Sequence, residues 1–440
     1  MRSTNEGRQK GTAGERLYQR ARQLIPGGTQ LLSKRPELYL PEGWPAYYQS
    51  AQGVRVTDLD GRVFTDMSMM GIGACVLGYA DPEVDEAAIS ALRRGVLCTL
   101  NAPEEVELAE LLCEIHPWAG MVRFARSGGE AMSIAVRLAR ASTGRDKVAF
   151  CGYHGWTDWY LAANLGDHDA LDGHLLPGLD PRGVPRSLKG TAFPFHYNRI
   201  EELEEIVAAH GSELAAIVME PQREHPPENG FIQRVRQIAQ RVGAVLVFDE
   251  ITTGFRMTSG GIHLLLGIEP DVAVFAKAMA NGYAMAAVIG RTDVMEAAKT
   301  TFISSTNWTE RIGPAAALAT IRKHRREKVA EHLKRIGRRV QQGWGRAAAA
   351  AGLEIEVGGL PSLSHFSFRH PNSHVLRTLF TRLMLDRGFL AYSQFKPCFA
   401  HTDADVDRYV EAVAEALLLL ASGELQPAET AAERGFYRLT

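Results

Sequence analysis

The chain has 440 residues, of which 49 are basic and 51 acidic, and its formal net charge is −2. A balanced chain of this kind is not expected to bind nucleic acid or a membrane surface. Its length can bury a large core and predicts two closely packed domains. The first 20 residues are polar, and the apolar stretch 410–422 is short and carries glutamates. We therefore expect neither a signal peptide nor a membrane span.

The five cysteines are scattered along the chain and show no CxxC spacing: Cys75, Cys98, Cys113, Cys151 and Cys398. Such spacing predicts neither a disulfide framework nor a metal site. Free thiols are the expected state in a reducing compartment, so we expect a cytoplasmic protein.

Apolar periodicity, caps and turn signals predict a series of helices and strands. The predicted helices are 15–24, 82 to about 94, 104–115, about 131–143, 314 to about 350, 376–387 and 406–420. The predicted strands are 54–57, 63–66, 122–125, 148–150, 215–219, 244–248, 272–275 and 363–368. Strands and helices alternate through the middle of the chain, which favours an α/β domain. Residues 166–190 are rich in Asp, Gly and Pro and predict a long loop, which in a compact domain is usually functional.

Two of the apolar runs are each followed by a chemically active side chain. Ala244–Phe248 leads to Asp249, and Val272–Phe275 leads to Lys277. Short valine-rich runs are typical of buried strands in a parallel sheet. A lone acid or lysine after a strand is more often a helix cap or a solvated loop residue. The spacing from 249 to 277, however, leaves room for one crossover between neighbouring strands, so we expect both groups at one edge of the sheet.

The motif FDEITTGFR at Phe248–Arg256, followed by AKAMANG at Ala276–Gly282, resembles the signature of the class III aminotransferases. These are pyridoxal 5'-phosphate (PLP) enzymes of fold type I. The closer likeness is to the branch that contains glutamate-1-semialdehyde aminomutase and sugar and aminoglycoside aminotransferases, and it covers nearly the whole chain. The resemblance implies an α/β fold with a mostly parallel central sheet in a large domain, and a smaller α+β domain built from both chain ends. We place the N-terminal part of the small domain at 1–75, the PLP-binding domain at 76–320 and the C-terminal small domain at 321–440.

The resemblance also assigns the two catalytic residues. Lys277 forms a Schiff base with the PLP aldehyde and moves the proton during transfer. Asp249 pairs with the pyridine nitrogen and keeps it protonated, so that the ring can accept electrons. The cofactor is PLP, and no metal is expected.

A phosphate-binding segment is expected at Ser127-Gly128-Gly129, which lies between a predicted strand and a helix. Amides at a helix N-terminus attract an anion, and glycines allow close approach. An ordinary strand-to-helix turn would look the same. In the family the matching segment cradles the phosphate, usually with Thr in place of Gly129, so this chain lacks one hydroxyl donor.

The resemblance implies five further cofactor-binding positions. Tyr153 stacks on the pyridine ring, with His154 behind it, although either residue could belong to the core. Glu220 ends a strand and orients the cofactor or meets the substrate amine, unless it is a solvated strand-end charge. Ser305 and Thr306 reach the phosphate from the partner subunit, which implies a homodimer with shared active sites; a Ser/Thr-rich helix-capping loop is the alternative.

The substrates are an amine donor and a carbonyl acceptor. The segments IPGGTQLLSKRPE from Ile25 and ISSTNWTERIGPAAALAT from Ile303 look more like aminotransferases of sugar-like substrates than like the aminomutase. We therefore expect transfer from an amino acid such as glutamate to an aldehyde or ketone of a sugar or aminoglycoside metabolite, as in antibiotic biosynthesis. An aminomutase of the glutamate-1-semialdehyde type or an amino epimerase is the alternative, followed by a non-catalytic scaffold. Six aromatic residues are candidates for a carbohydrate pocket: Trp44, Tyr47, Tyr48, Trp156, Trp159 and Trp308.

Overall fold

The computed structural model describes residues 11–167, 169–174, 178–423 and 431–433. The strands are β1 Tyr48–Gln52, β2 Arg55–Asp58, β3 Val63–Asp66, β4 Met121–Ala125, β5 Lys147–Cys151, β6 Ala192–Pro194, β7 Leu214–Met219, β8 Val245–Asp249, β9 Val272–Phe275, β10 Ala286–Gly290, β11 Ile355–Gly358, β12 Ser364–Phe368, β13 Phe389–Leu390 and β14 Gln394–Phe395. The helices are α1 Ala13–Leu24, α2 Met70–Gly73, α3 Pro82–Arg93, α4 Pro103–Ile115, α5 Gly128–Thr143, α6 Asp158–Leu161, α7 Ile200–His210, α8 Phe231–Val242, α9 His263–Leu266, α10 Thr292–Met295, α11 Ile312–Arg326, α12 Val329–Ala351, α13 Ser373–Asp386 and α14 Asp403–Ser422.

A seven-stranded sheet with the order β4-β10-β9-β8-β7-β5-β6 forms the centre of the molecule. Only β10 runs against the other six strands. Every residue of β7, β8 and β9 is buried, because helices cover both faces of the sheet. This double burial explains the unbroken apolar runs in the sequence. The prediction of an α/β fold with a mostly parallel sheet is confirmed.

The two strands that carry the candidate catalytic residues are neighbours. β8 and β9 pair in parallel, and Asp249 lies opposite Val274. The carboxyl ends of both strands therefore meet at the same edge of the sheet. The expected single crossover between them is confirmed.

A smaller α+β region joins the two ends of the chain. β3 pairs in parallel with β13, so that Thr65 lies opposite Phe389. A second apolar core lies between α12, α13, α14 and β12, with Trp344 and Phe380 fully buried. The small region is thus built from both chain ends, as expected. The residue limits 1–75, 76–320 and 321–440 stay a prediction.

The predicted helical stretch 314–350 is a pair of helices, α11 and α12. They are separated at Glu327 and Lys328, where Lys328 has a positive φ of 52°. One face of α12 contributes Ile336, Val340 and Trp344 to the core. Residues 166–190 form a long connection with one short 3-10 turn, although 168 and 175–177 lie outside the described residues. A membrane-spanning helix would need a long, apolar stretch, and none of the helices among the described residues has one.

Candidate active site

A cavity of about 1020 Å³ opens at the carboxyl edge of the large sheet. Its walls come from the ends of β5, β8 and β9, from the start of α5 and from residues of the small region. Ligand sites in open α/β sheets lie at this edge. Seven of the predicted site residues line it: Ser127, Gly128, Gly129, Tyr153, His154, Asp249 and Lys277.

Lys277 lies just after β9, and its amine faces the cavity. Its Nζ donates a hydrogen bond to Thr252 Oγ1 at 3.0 Å. Burial, together with the positive charge of Arg223, lowers the pKa of Lys277 to about 8, and Asp249 opposes this shift. The residue has a positive φ of 47°, a conformation that is uncommon for non-glycine residues and is enriched at functional sites. Lys277 is therefore a pre-positioned amine whose neutral, nucleophilic form exists near neutral pH.

Asp249 is the buried last residue of β8 and is held by two hydrogen bonds. Its Oδ1 accepts from the Ile251 amide at 3.0 Å, and its Oδ2 accepts from His154 Nδ1 at 2.8 Å. His154 Nε2 in turn donates to the carbonyl of Cys151 at 3.0 Å. The pair fixes the carboxylate at the cavity wall.

The N-terminus of α5 opens on the same cavity. Ser127 caps this 16-residue helix, and its hydroxyl and amide both donate to Glu130 Oε2, at 3.0 and 2.9 Å. Gly128 and Gly129 form the first turn. A Cβ at Gly128 would lie 2.9 Å from Ile251 Cδ1, so only glycine fits here without displacing Ile251. The arrangement combines the positive end of a helix dipole with free space, which suits an anionic group.

These residues fit PLP. The cavity brings together an amine for the aldehyde, a carboxylate for the ring nitrogen and a helix N-terminus for the phosphate. Tyr153 and Ile251 also line it and supply apolar surface for an aromatic ring. The donor and acceptor set therefore matches the aldehyde, the ring nitrogen and the phosphate of the cofactor.

Three predicted residues lie outside the walls of this cavity, among the described residues. Glu220 is buried behind Gly152 and makes an ion pair with Arg223 at 3.2 Å. Ser305 and Thr306 are exposed at the start of a short 3-10 turn. Within one chain these two residues do not reach the cavity, and their role in a partner subunit stays a prediction.

Sequence reasoning missed four residues near Lys277. Thr252 and Arg256 belong to the recognised motif, but nothing in it indicated their contacts. Arg256 is fully buried and donates to the carbonyl groups of Thr252, at 2.9 Å, and of Gly73. Arg223 and Lys396 have no local sequence signal, because separate parts of the chain bring them to the cavity. Of the six aromatic candidates, only Trp156 lines the described cavity.

The sequence model of the family "Aminotransferase class-III" matches residues 41–417. A 3-aminobutyryl-CoA aminotransferase of Cloacimonas acidaminovorans is 31% identical over 91% of this chain and 95% of its own length. A 2'-deamino-2'-hydroxyneamine transaminase of Streptomyces kanamyceticus is 32% identical over 85% of this chain and 91% of its own. A glutamate-1-semialdehyde 2,1-aminomutase of Akkermansia muciniphila is 33% identical over 90% and 97% of the two chains.

The fold is also similar to solved structures. The PLP-containing structure of the FumI protein of Sphingopyxis sp. MTA144 superposes with a TM-score of 0.84 at 28% identity. The superposition covers 95% of this chain and 99% of that one.

Proposed function

The chain belongs to the class III aminotransferase family, whose members are PLP-dependent enzymes of fold type I, and on this premise we propose that it transfers an amino group from an amino acid such as glutamate to a carbonyl group of a sugar-like or aminoglycoside metabolite. The observation that carries the proposal is the position of Lys277, Asp249 and the α5 N-terminus around one cavity. The likeness to the neamine transaminase supports a sugar-like acceptor.

The residues of the cavity have separate tasks in this reaction. PLP supplies an aldehyde that binds amines covalently and a protonated ring that takes up electrons. Gly128 and Gly129, at the N-terminus of α5 that Ser127 caps, would hold its phosphate, and Asp249 its ring nitrogen. Lys277 Nζ removes a proton from the α-carbon of the donor and later returns one, a task that its lowered pKa favours.

The position of Lys277 beside Thr252 supports this proton transfer. Thr252 Oγ1 holds the Nζ atom at 3.0 Å and gives the amine a resting position in the cavity wall. The hydrogen bond from His154 keeps the carboxyl group of Asp249 fixed at the end of β8. Neither group has to move far, so the cost of reorganisation during the reaction is low.

A half-reaction tests the proposal. The PLP-bound enzyme is mixed with one amine donor at a time and no acceptor: L-glutamate, L-glutamine, L-alanine or an aminoglycoside. We expect the visible band of the bound cofactor to disappear with glutamate while 2-oxoglutarate is released in equal amount. A sugar-like carbonyl compound should then restore the band. Failure of every donor to discharge the band would contradict the proposal.

An aminomutase is the second candidate, and the likeness to glutamate-1-semialdehyde 2,1-aminomutase favours it. It differs in needing no external acceptor. Rearrangement of glutamate semialdehyde or epimerisation of an amino sugar by the PLP-bound enzyme alone, with no donor discharging the band, would establish this candidate instead.

The homodimer with shared sites is part of the proposal. Ser305 and Thr306 are exposed and do not line the cavity of their own chain, so a role in an active site requires a second chain. Thr306→Ala should weaken PLP retention on dialysis, whereas Thr300→Ala, at an exposed threonine that bonds to the Ala297 carbonyl, serves as the control. Unchanged retention in the Thr306 variant would remove this residue from the site.

We also propose a cytoplasmic location. All five cysteines lie within the described residues and are free. Free thiols of this kind support a reducing compartment. Fractionation of the native cells tests this location. Recovery of the protein outside the cytosolic fraction would contradict the proposal.

A further inference from the structure

Lys396 carries a buried amine that the proposed chemistry does not use. It follows β14, is 8% exposed, and lines the cavity that contains Lys277. Its amide donates to the Ser68 carbonyl at 2.7 Å, which fixes the backbone. Within the described residues its Nζ has no hydrogen-bond or ion-pair partner. A buried amine is costly unless it is paired, so its neighbourhood indicates what it pairs with.

The surroundings of Lys396 carry excess positive charge. Gly73 has a positive φ of 82°, and a Cβ there would lie 2.8 Å from Arg256 Nη2 and 3.3 Å from Lys396 Cδ. The guanidinium of Arg256 and the stem of Lys396 thus pack on the same glycine. Arg256 bonds only to carbonyl groups, and the charge of Arg223 is only partly balanced by Glu220. No carboxylate of the described residues is within ion-pair distance of Lys396.

This positive charge also acts on the amine itself. Burial, followed by the charges of Lys277, Arg256 and Arg223, lowers the pKa of Lys396 well below its usual range. A bound anion would offset these charges and keep the amine protonated.

A small side chamber lies next to Lys396. It has a volume of about 130 Å³ and shares Arg223, Gln394 and Lys396 with the main cavity. Glu224, Ser364, Ser393 and His365 complete its polar lining, so the cations Arg223 and Lys396 face one carboxylate there. Neither Lys277 nor residues 127–129 line it, so it is separate from the expected phosphate position.

We propose that Lys396, together with Arg223, binds the second carboxylate of a dicarboxylic amino donor at the mouth of this side chamber. The proposal rests on the proposed function and deepens it, because it names the donor class. A carboxylate there accepts charge-assisted hydrogen bonds from both side chains. The donor's amine is then left free to reach the neighbourhood of Lys277. Monocarboxylic amines lack the group that the pair binds.

Binding of a non-reacting dicarboxylate tests the proposal without turnover. Glutarate and its neutral diamide, glutaramide, are titrated calorimetrically into the PLP-bound protein. We expect the wild type to bind glutarate roughly 10- to 100-fold more tightly than glutaramide, as one charged hydrogen-bonding pair provides. Lys396→Met keeps the length of the stem and should abolish this preference, whereas Lys396→Arg should keep most of it. Lys299→Met, at a surface lysine that pairs with Glu296, is the matched control.

A kinetic comparison separates donor binding from a structural effect. Lys396→Met should raise the KM for glutamate in the half-reaction. The kcat with glutamate and the KM for a carboxylate-free amine should stay within twofold of the wild-type values. Equal loss with both donors, or wild-type protein that binds glutarate and glutaramide alike, would overturn the proposal. If the Met variant fails to fold, the proposal is tested by two other results: the preference of the wild type for glutarate over glutaramide, and its retention in Lys396→Arg. The two proposals can fail separately. If glutarate binding depends on Lys396 but no amine donor discharges the visible band of the cofactor, the aminotransferase proposal is refuted and the carboxylate site is retained.

Discussion

Gly129 offers a test of the phosphate position in which a substitution should strengthen binding. The residue lies in the first turn of α5 with helical backbone angles, so a side chain is not strained there. An added Cβ would lie 3.1 Å from Trp156 Nε1, a tight contact. Trp156 is 72% exposed and can therefore move by the few tenths of an ångström that are required.

The expected gain follows from one hydrogen bond. A threonine hydroxyl that donates to a phosphate contributes about 1.5–3 kcal/mol, as hydrogen bonds to charged groups do. This corresponds to roughly 10- to 100-fold tighter PLP binding. Loss of a helix glycine alone stabilises folding by about 0.5–1 kcal/mol, so Gly129→Ala is needed as the control. Gly128→Ala should act in the opposite direction, because its Cβ would press on Ile251 in the cavity wall.

The assay is an equilibrium titration of the PLP-free protein with PLP. The order of affinity should be Gly129→Thr, then Gly129→Ala and wild type together, then Gly128→Ala. A Thr variant that binds PLP no more tightly than the Ala variant would refute the reasoning, because the phosphate would then not lie at the N-terminus of α5.

Further predictions concern the residues around the amine. Borohydride reduction followed by peptide mass mapping should place a pyridoxyl group on Lys277, and Lys277→Ala should lose this label and all turnover; a label on another lysine would contradict the assignment. Because burial lowers the pKa of Lys277 to about 8, the rate of covalent PLP attachment to the PLP-free protein should rise with pH to a half-maximum near 8. A midpoint near 10.5, the ordinary lysine value, would show that the amine is not desolvated. Asp249→Asn should lower kcat by roughly 10²- to 10³-fold, as loss of a pre-positioned charge does, at an unchanged melting temperature. His154→Gln should lower kcat less and in the same direction, and an unaltered kcat would exclude a role in holding Asp249.

Local sequence signals were sufficient for most elements of the large sheet. The runs that form β8 and β9 are apolar without interruption because both faces of each strand are buried, and their limits were predicted within one residue. The strand β10 was missed. Its sequence AAVIG is apolar without interruption, like β8 and β9, but it follows closely on the predicted Lys277 segment. Its antiparallel pairing with β4 and β9 is what distinguishes it from a buried turn.

The candidate site divides in the same way. Asp249, Lys277 and Ser127 each end a strand or begin a helix, so a local pattern places them at the carboxyl edge. Glu220 also follows a strand, but it packs against Gly152, pairs with Arg223 and does not line the cavity. Strand position alone therefore does not determine whether a strand-end side chain faces the ligand.

The chemical state of Lys277 depends on residues that no motif contains. Its desolvation comes from the walls of the cavity, and the next largest contribution to its lowered pKa comes from Arg223. The charge of Arg223 is in turn partly balanced by Glu220. A substitution of Glu220 by Gln would leave the charge of Arg223 uncompensated beside Lys277 and lower the pKa of the lysine further. The pattern of the motif thus identifies the reacting amine, while the ion pair behind the cavity adjusts the pH at which this amine becomes reactive.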